Sequence, residues 1–389
     1  MKILMVLTAV FPPDSRVEKE ARSLSENGHN IHIVCYSKGA EPQFEELDYC
    51  TIHRLNVSNF FKNKWSALAL ISPVFFNKWR RSINRLYAKY EFDAIHIHDL
   101  PLSKVGYYFK KKYNCKLVCD QHEFYSNWIT ETAHMNSRLG KIISKFSDWE
   151  KYERNYLKLA DLVITVAKPL ELNYIKKYNI ERIVTVPNTP TKRIFNNENI
   201  NVEIIEKYKD YFTLFYAGGI DILRGIETAI IALEEIKKRI PNVKLLLGGK
   251  ISSPFNPFKI AEQHHVLNHL EFVGWIDEEM LPSYISASQI CFFTPPANRD
   301  EINKTIATKI YQYAIMQKPI IVSNAEMMKK FVESNNLGIA IEAGNSHAFA
   351  KAVFRVFDNK FIVPSNFVFS NLFGEDTVNP LIRGYASNR

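Results

Sequence analysis

Residues 212–250 read FTLFYAGGIDILRGIETAIIALEEIKKRIPNVKLLLGGK. The stretch opens on an apolar run, FTLFYAG, passes Gly219, and continues into a segment with apolar residues at helical spacing. It closes on a second apolar run, KLLLGG. A strand, a helix and a strand in that order read as a parallel βαβ unit, since parallel neighbours need a crossover and the helix supplies it. Short runs this apolar belong to strands covered on both faces. The fold then depends on how often the unit repeats.

It repeats throughout. Earlier in the chain the apolar runs are KILMVL, NIHIVCY, AIHIH, KLVCD, LVITVA and IVTVPN; after FTLFYAG and KLLLGG come LEFVG, ICFFT, PIIVS and GIAIE. Each is followed by an amphipathic segment. Two such series predict an α/β protein of two doubly wound, Rossmann-like parallel-sheet domains. The first is expected over residues 1–190 and the second over 204–365, with the seam in the polar stretch 189–203. Ligands of such sheets bind beyond the carboxyl ends of the strands, so the loops there hold the candidate residues.

Composition agrees with this reading. The 389 residues are 46% hydrophobic and 23% charged, with a net charge of +9. That describes a well-cored globular chain suited to anionic partners such as nucleotides or phosphorylated lipids. No window approaches the roughly 20 apolar residues of a membrane helix. The opening MKILMVLTAVFPPD reads as a buried strand and not as a signal peptide. Five cysteines, among them Cys35, Cys119 and Cys291 in apolar runs, read as reduced thiols of a cytoplasmic protein.

In the second series, Gly218 and Gly219 allow the backbone to approach a ligand closely. The helix after them offers a phosphate site at its start, and Arg224 adds a guanidinium. Gly248, Gly249 and Lys250 end the next strand; Gly274 and Trp275 end the one after, where a planar base has room. In ATKIYQYAIMQKPIIVSN, residues 307–324, Lys309 and Gln312 stand among apolar residues. At a helix start facing the same loops, Gln312 suits a ribose diol and Lys309 a phosphate.

In the first series, DAIHIHDLP and LVCDQHEFYSNW each carry His with Asp or Glu just after a strand. Asp120, His122 and Glu123 form the stronger cluster and are the catalytic candidates. His98 and Asp99 stand at one strand end, and Asp14, Ser15 and Arg16 at another, where a helix begins close to the crevice. A zinc reading of His96 and His98 lacks further ligands. No Walker loop, D-x-D pair, zinc spacing, nucleophile elbow or dinucleotide GxGxxG is present, so neither a metal nor a cofactor is expected. Residues 56–90 interrupt the rhythm with Phe60, Phe61, Trp65, Phe75, Phe76 and Trp79 among Lys62, Lys64, Lys78, Arg80, Arg81 and Arg85. Such a segment fits peripheral membrane contact or a helix packing its aromatics inward. The basic charge alone does not argue for nucleic acid.

Eight segments in order, from DSRVEKEARSLSENGHNIHIV through FDAIHIHDL, VCDQHEFYS, ADLVITVAKPL, VTVPNTP, YAGGIDILRGIETAI and LEFVGWIDEEMLPSYISAS to ATKIYQYAIMQKPIIVSN, carry a resemblance over nearly the whole chain. The chain resembles the retaining glycosyltransferases of the GT-B fold, specifically glycosyltransferase family 4. The resemblance implies two domains facing a central cleft, a UDP- or GDP-linked sugar donor, and a saccharide or lipid-linked acceptor in polysaccharide assembly, with Asp14, Ser15, Arg16, His98 and Asp99 on the acceptor side. It matches His122 to the histidine beside the transferred sugar, Arg224 to the basic residue on the donor diphosphate, and Gln312 to the usual ribose glutamate. Residues 366–389 would be the tail crossing back to the first domain. Three positions depart from the family pattern: Gly219 replaces a frequent arginine, Lys304 falls where a glutamate is usual, and Gln312 is neutral. They keep a catalytically inactive sugar-nucleotide-binding scaffold open as an alternative, beside a UDP-sugar 2-epimerase.

Overall fold

Every apolar run quoted above forms a strand in the computed structural model, which describes residues 1–66, 68–122, 146–364 and 372–386. The chain divides into two units, Met1–Pro187 with Thr377–Arg389 and Asn188–Asp376. The polar stretch after Pro187 thus belongs to the second unit.

Unit 1 holds β1 (Lys2–Val10), β2 (Asn30–Tyr36), β3 (Phe44–Glu46), β4 (Thr51–Leu55), β5 (Ala94–His98), β6 (Lys116–Gln121), β7 (Leu162–Thr165) and β8 (Ile183–Thr185). They form one sheet in the order β3-β4-β2-β1-β5-β6-β7-β8. All neighbours are parallel except β3 and β4. Side chains alternate along β1, so Ile3, Met5 and Leu7 enter one core and Leu4 and Val6 the other. The first core takes Val17, Ala21 and Leu24 of helix Ser15–Glu26, and Leu381 and Tyr385 of the C-terminal helix Asn379–Ala386. The second takes Phe75, Trp79 and Ile83 of helix Val74–Tyr90, and Val105 and Phe109 of helix Ser103–Tyr113. Each large apolar side chain among them contributes about 1.5–3 kcal/mol by leaving water. The aromatics of residues 56–90 therefore divide: Phe75, Phe76 and Trp79 are core, whereas Phe60 is exposed.

Unit 2 holds β9 (Phe212–Ile220), β10 (Val243–Ile251), β11 (Leu270–Gly274), β12 (Ile290–Phe293), β13 (Ile320–Ser323) and β14 (Gly338–Ile341), in the order β11-β10-β9-β12-β13-β14. The pairings β10–β11, β9–β10, β9–β12, β12–β13 and β13–β14 are all parallel. Helix Ile226–Arg239 buries Ile226, Ala229, Ile230, Leu233 and Ile236, one stripe at helical spacing. Its last turn carries Lys237, Lys238 and Arg239, which suit the negative end of its dipole. The order reverses at β9 and β12, the switch point where such sheets bind ligands.

Candidate active site

In unit 1 the ends of β5 and β6 meet the start of helix Ser15–Glu26. Asp14 caps that helix by accepting from the Val17 amide at 3.1 Å, leaving Ser15 exposed in its first turn. Arg16 points inward. Its Nε and Nη2 donate to the two oxygens of Asp120 at 2.8 and 2.6 Å, and its Nη1 donates to the Val186 carbonyl at 2.8 Å. Asp120 is fully buried, and its Oδ2 also meets His122 Nε2 at 2.9 Å and His98 Nδ1 at 3.3 Å. Burial alone would raise the Asp120 carboxyl, but the Arg16 charge overrides it and holds the carboxyl well below its usual range.

His122 follows β6 and keeps a quarter of its side chain exposed. Its Nδ1 lies 3.4 Å from Asp99 Oδ1, so the ring stands between two carboxylates. Burial works against its charged form, but Asp99 and Asp120 outweigh it and raise His122 to about 9. The ring is thus an imidazolium at neutral pH. Asp99 holds φ 65° and ψ 153°, a region costing a non-glycine residue about 1–3 kcal/mol. The strain places its carboxylate at the end of β5.

Beneath this pair, Tyr385 of the C-terminal helix meets His96 Nδ1 at 3.0 Å, and the His96 and His98 rings stack 4.4 Å apart. Glu20, His96, His98 and Asp120 bring ligand atoms within 4.8 Å of one another. A metal ion does not fit the set, because Arg16 already occupies both Asp120 oxygens and lies 3.2 Å from Glu20. The cluster has its cation in the guanidinium.

In unit 2 the candidate residues gather at the ends of β9 and β10. Gly218 pairs in register with Gly249, at φ 140° and 132° respectively. A Cβ on Gly249 would lie 1.8 Å from the Gly218 carbonyl, so close passage of the strands forbids a side chain there. A Cβ on Gly218 would lie 2.8 Å from Lys309 Nζ. That ammonium sits 4.7 Å from the Tyr216 ring centre and 4.4 Å from that of Phe293. Among the described residues no carboxylate pairs with it. Burial, followed by the charge of Arg224, lowers Lys309 to about 7.

Asp221 caps the turn Ile222–Arg224 and receives Arg224 Nε at 3.4 Å, leaving the guanidinium 41% exposed. Gly225 then opens helix Ile226–Arg239 at φ 70°, bolted to the end of β12 by Thr294 Oγ1 donating to its carbonyl at 2.9 Å. An arginine, a buried lysine, glycine backbone and the start of a long helix are groups of the kind that bind phosphate oxygens. Gln312 lies one turn beyond Lys309 in helix Thr308–Ile315, 8% exposed, and its amide has no protein partner among the described residues. Gly274, at φ 80°, ends β11, and Trp275 beside it is 73% exposed with its Nε1 donating to Asp277.

The sequence agrees with this geometry. Residues 15–189 match glycosyltransferase family 4, and residues 197–368 match glycosyl transferases group 1. The chain belongs to the glycosyltransferases. No curated protein sequence matches this glycosyltransferase closely enough to count as a relative. Solved structures share its fold. Sucrose-phosphate synthase from Thermosynechococcus elongatus has 18% identity and a TM-score of 0.71, covering 98% of this chain and 94% of its own. A glycosyltransferase from Rickettsia africae has 17% identity and a TM-score of 0.69, covering 99% and 94%. Anabaena Alr3699/HepE in complex with UDP and glucose has 15% identity and a TM-score of 0.70, covering 100% of both. These neighbours are GT-B glycosyltransferases, and the two parallel-sheet units of this chain have that fold.

Several sequence expectations need correction. Asp120, expected among the catalytic residues, is fully buried with its carboxylate taken up by Arg16, His98 and His122, so it supports those side chains and does not face solvent. Arg16 and His98, expected on the acceptor side, are 3% and 1% exposed and committed to Asp120. Gly218 and Gly219 lie within β9, and the helix begins only at Ile226. Glu123 falls outside the described residues. Sequence reasoning missed Glu20, Tyr385, Tyr216 and Asp221. Glu20 had a signal, its i,i+4 spacing from Arg16. Tyr385 had none.

Proposed function

We propose that this glycosyltransferase transfers a sugar from a UDP- or GDP-linked donor to a saccharide or lipid-linked saccharide. In this reading anomeric configuration is retained, and the product enters cell-surface polysaccharide at the inner face of the membrane. The observation that carries the donor assignment is the convergence of Lys309, Arg224 and the Gly218 backbone at the ends of β9 and β10. As the bond from sugar to diphosphate breaks, negative charge grows on the leaving oxygens. Fixed cations and helix N–H groups stabilise that charge more than they stabilise the ground state. They supply what a divalent ion supplies in other transferases, so neither metal nor cofactor takes part in this reading.

Gln312, with its unpartnered amide, takes the ribose hydroxyls. His122 serves the transferred sugar, as the family resemblance implies; its Nε2 is held by Asp120 and its Nδ1 faces Asp99, so its part is to place a positive charge beside the sugar. Alr3699/HepE is described with UDP and glucose, and an Escherichia coli trehalose-6-phosphate enzyme with UDP-2-fluoro glucose. Both support UDP as the first nucleotide to try. The neutral Gln312, together with Lys304 paired to Asp300 at 2.5 Å, favours the second reading of a protein that binds sugar nucleotides without turnover.

The test is a thermal-shift screen against UDP, GDP, UDP-sugars and GDP-mannose, with and without EDTA. One nucleotide is expected to raise Tm, EDTA to leave the shift intact, and Arg224→Ala to abolish it. No shift with any nucleotide would remove the donor assignment. Release of the nucleoside diphosphate from the matching sugar donor, with the sugar moved to an added acceptor, would exclude the inactive reading.

A further inference from the structure

Between the turn following β4 and helix Val74–Tyr90 lies an open cavity of about 440 Å³, lined by Asn56, Phe61, Val74, Asn77, Lys78 and Arg81 among others. It stands apart from the residues assigned above. Lys78 and Arg81 are exposed, and among the described residues neither pairs with a carboxylate. Among the described residues no group bonds the side-chain amides of Asn56 and Asn77 there either. The helix is two-sided: Phe75, Phe76, Trp79 and Ile83 are buried, while Val74, Lys78, Arg81 and Arg85 are exposed. Residues 56–90 contain no Asp or Glu at all. Large apolar side chains of the same stretch are exposed, Phe60 at 63%, Ile71 at 62% and Val74 at 41%, and Val74 lines the cavity with the two cations.

We propose that this face docks on an anionic lipid bilayer, with Lys78 and Arg81 holding one lipid phosphate in the cavity. The proposal rests on the reading that the enzyme works at a membrane. Unpaired guanidinium and ammonium groups beside free amide donors suit phosphate oxygens. A soluble anion would explain the cations but not Phe60, Ile71 and Val74, whose exposure is unfavourable in water. A bilayer satisfies both, since apolar side chains enter the acyl boundary while basic ones remain at the headgroups. A folded acidic protein would meet the cations equally well, but the stretch empty of acids gives it no counter-charges to set a register. No helix among the described residues is long and apolar enough to cross a membrane, so attachment through these residues is from one side.

The experiment is co-sedimentation of the full chain with phosphatidylcholine vesicles, with and without phosphatidylglycerol. Binding is expected only with the anionic lipid, weakening as salt is raised. Each basic residue near such a surface is worth roughly fivefold, so Lys78→Gln with Arg81→Gln should lower the partition constant on the order of 25-fold. Phe60→Ser with Ile71→Ser should weaken binding while leaving its salt dependence. Both double variants change exposed side chains, and circular dichroism checks that they fold. Their nucleotide-induced Tm shift should equal that of the parent, which separates failure of docking from failure of the donor assignment. Equal sedimentation of parent and charge variant, or none by the parent, would overturn the proposal. So would release from vesicles by millimolar inorganic phosphate at constant ionic strength, which would assign the cavity to a free anion.

Discussion

His122 stands between the carboxylates of Asp99 and Asp120, and its charge makes a sign-definite prediction. Its value of about 9 in the fold lies above the ordinary 6.5. The protonated ring therefore stabilises the fold fully below about pH 6.5, and this contribution fades as pH rises through about 9. The loss is at most about 3 kcal/mol. Urea denaturation between neutral and alkaline pH should show stability falling, and the fall should be smaller in His122→Gln. A histidine titration followed by NMR should move toward ordinary values in Asp120→Asn; an unmoved titration would reject the assigned ion pair. Lys309 behaves in the opposite sense. Burial and Arg224 lower it to about 7, so half of it is neutral near that pH. A bound diphosphate would restore its charge. Calorimetry of nucleotide binding in buffers of different ionisation enthalpy should thus report proton uptake, larger at pH 8 than at pH 6 and absent in Lys309→Met.

At the scale of elements, the join between β9 and helix Ile226–Arg239 is the most constrained feature of unit 2. Gly225 sits at φ 70°, and a Cβ there would lie 1.7 Å from the Thr294 carbonyl. Gly225→Ala should therefore cost more than the about 1–2 kcal/mol of a left-handed conformation alone, since the backbone itself must shift. Denaturant titration of unit 2 checks this, and a loss below 1 kcal/mol would contradict the close approach. The strands illustrate what pattern can show. Runs such as KLLLGG and ICFFT are apolar throughout and identify themselves as covered strands. β3 and β4 escaped notice because FEE and TIHRL mix charge with apolar residues at the sheet's edge. Gly218 and Gly249 were legible as glycines at strand ends. Their register, which makes Gly249 obligatory for strand passage, required the sheet.

For the whole molecule, the return of the chain to unit 1 at Thr377 matters most. Val378, Leu381 and Tyr385 are buried there, Lys116 Nζ donates to the Gly384 carbonyl at 2.7 Å, and Tyr385 reaches His96. Removing residues 377–389 should destabilise unit 1 by roughly 5 kcal/mol, the burial of three large apolar side chains. Calorimetry should show the melting of unit 1 moving down while that of unit 2 stays in place. Tyr385→Phe should cost about 0.5–1.5 kcal/mol, the worth of one hydrogen bond. Equal shifts in both units on truncation would argue against this assignment of the tail.

Local pattern was enough for the repeat of strand and helix and for the two-sheet organisation, and it singled out His122, Arg224, Lys309 and Gln312 as candidates. Strand period, helix stripe and strand-end glycines are short-range properties, written in consecutive residues. The state of each candidate was decided elsewhere. Arg16 and Asp120 lie 104 positions apart, and His96 and Tyr385 lie 289 apart. Only the folded sheet brings such partners into contact, and their contact turns Arg16 and Asp120 into buried supports and His122 into a cation. Burial and charge pairing are sums over neighbours in space, and no window of sequence contains them.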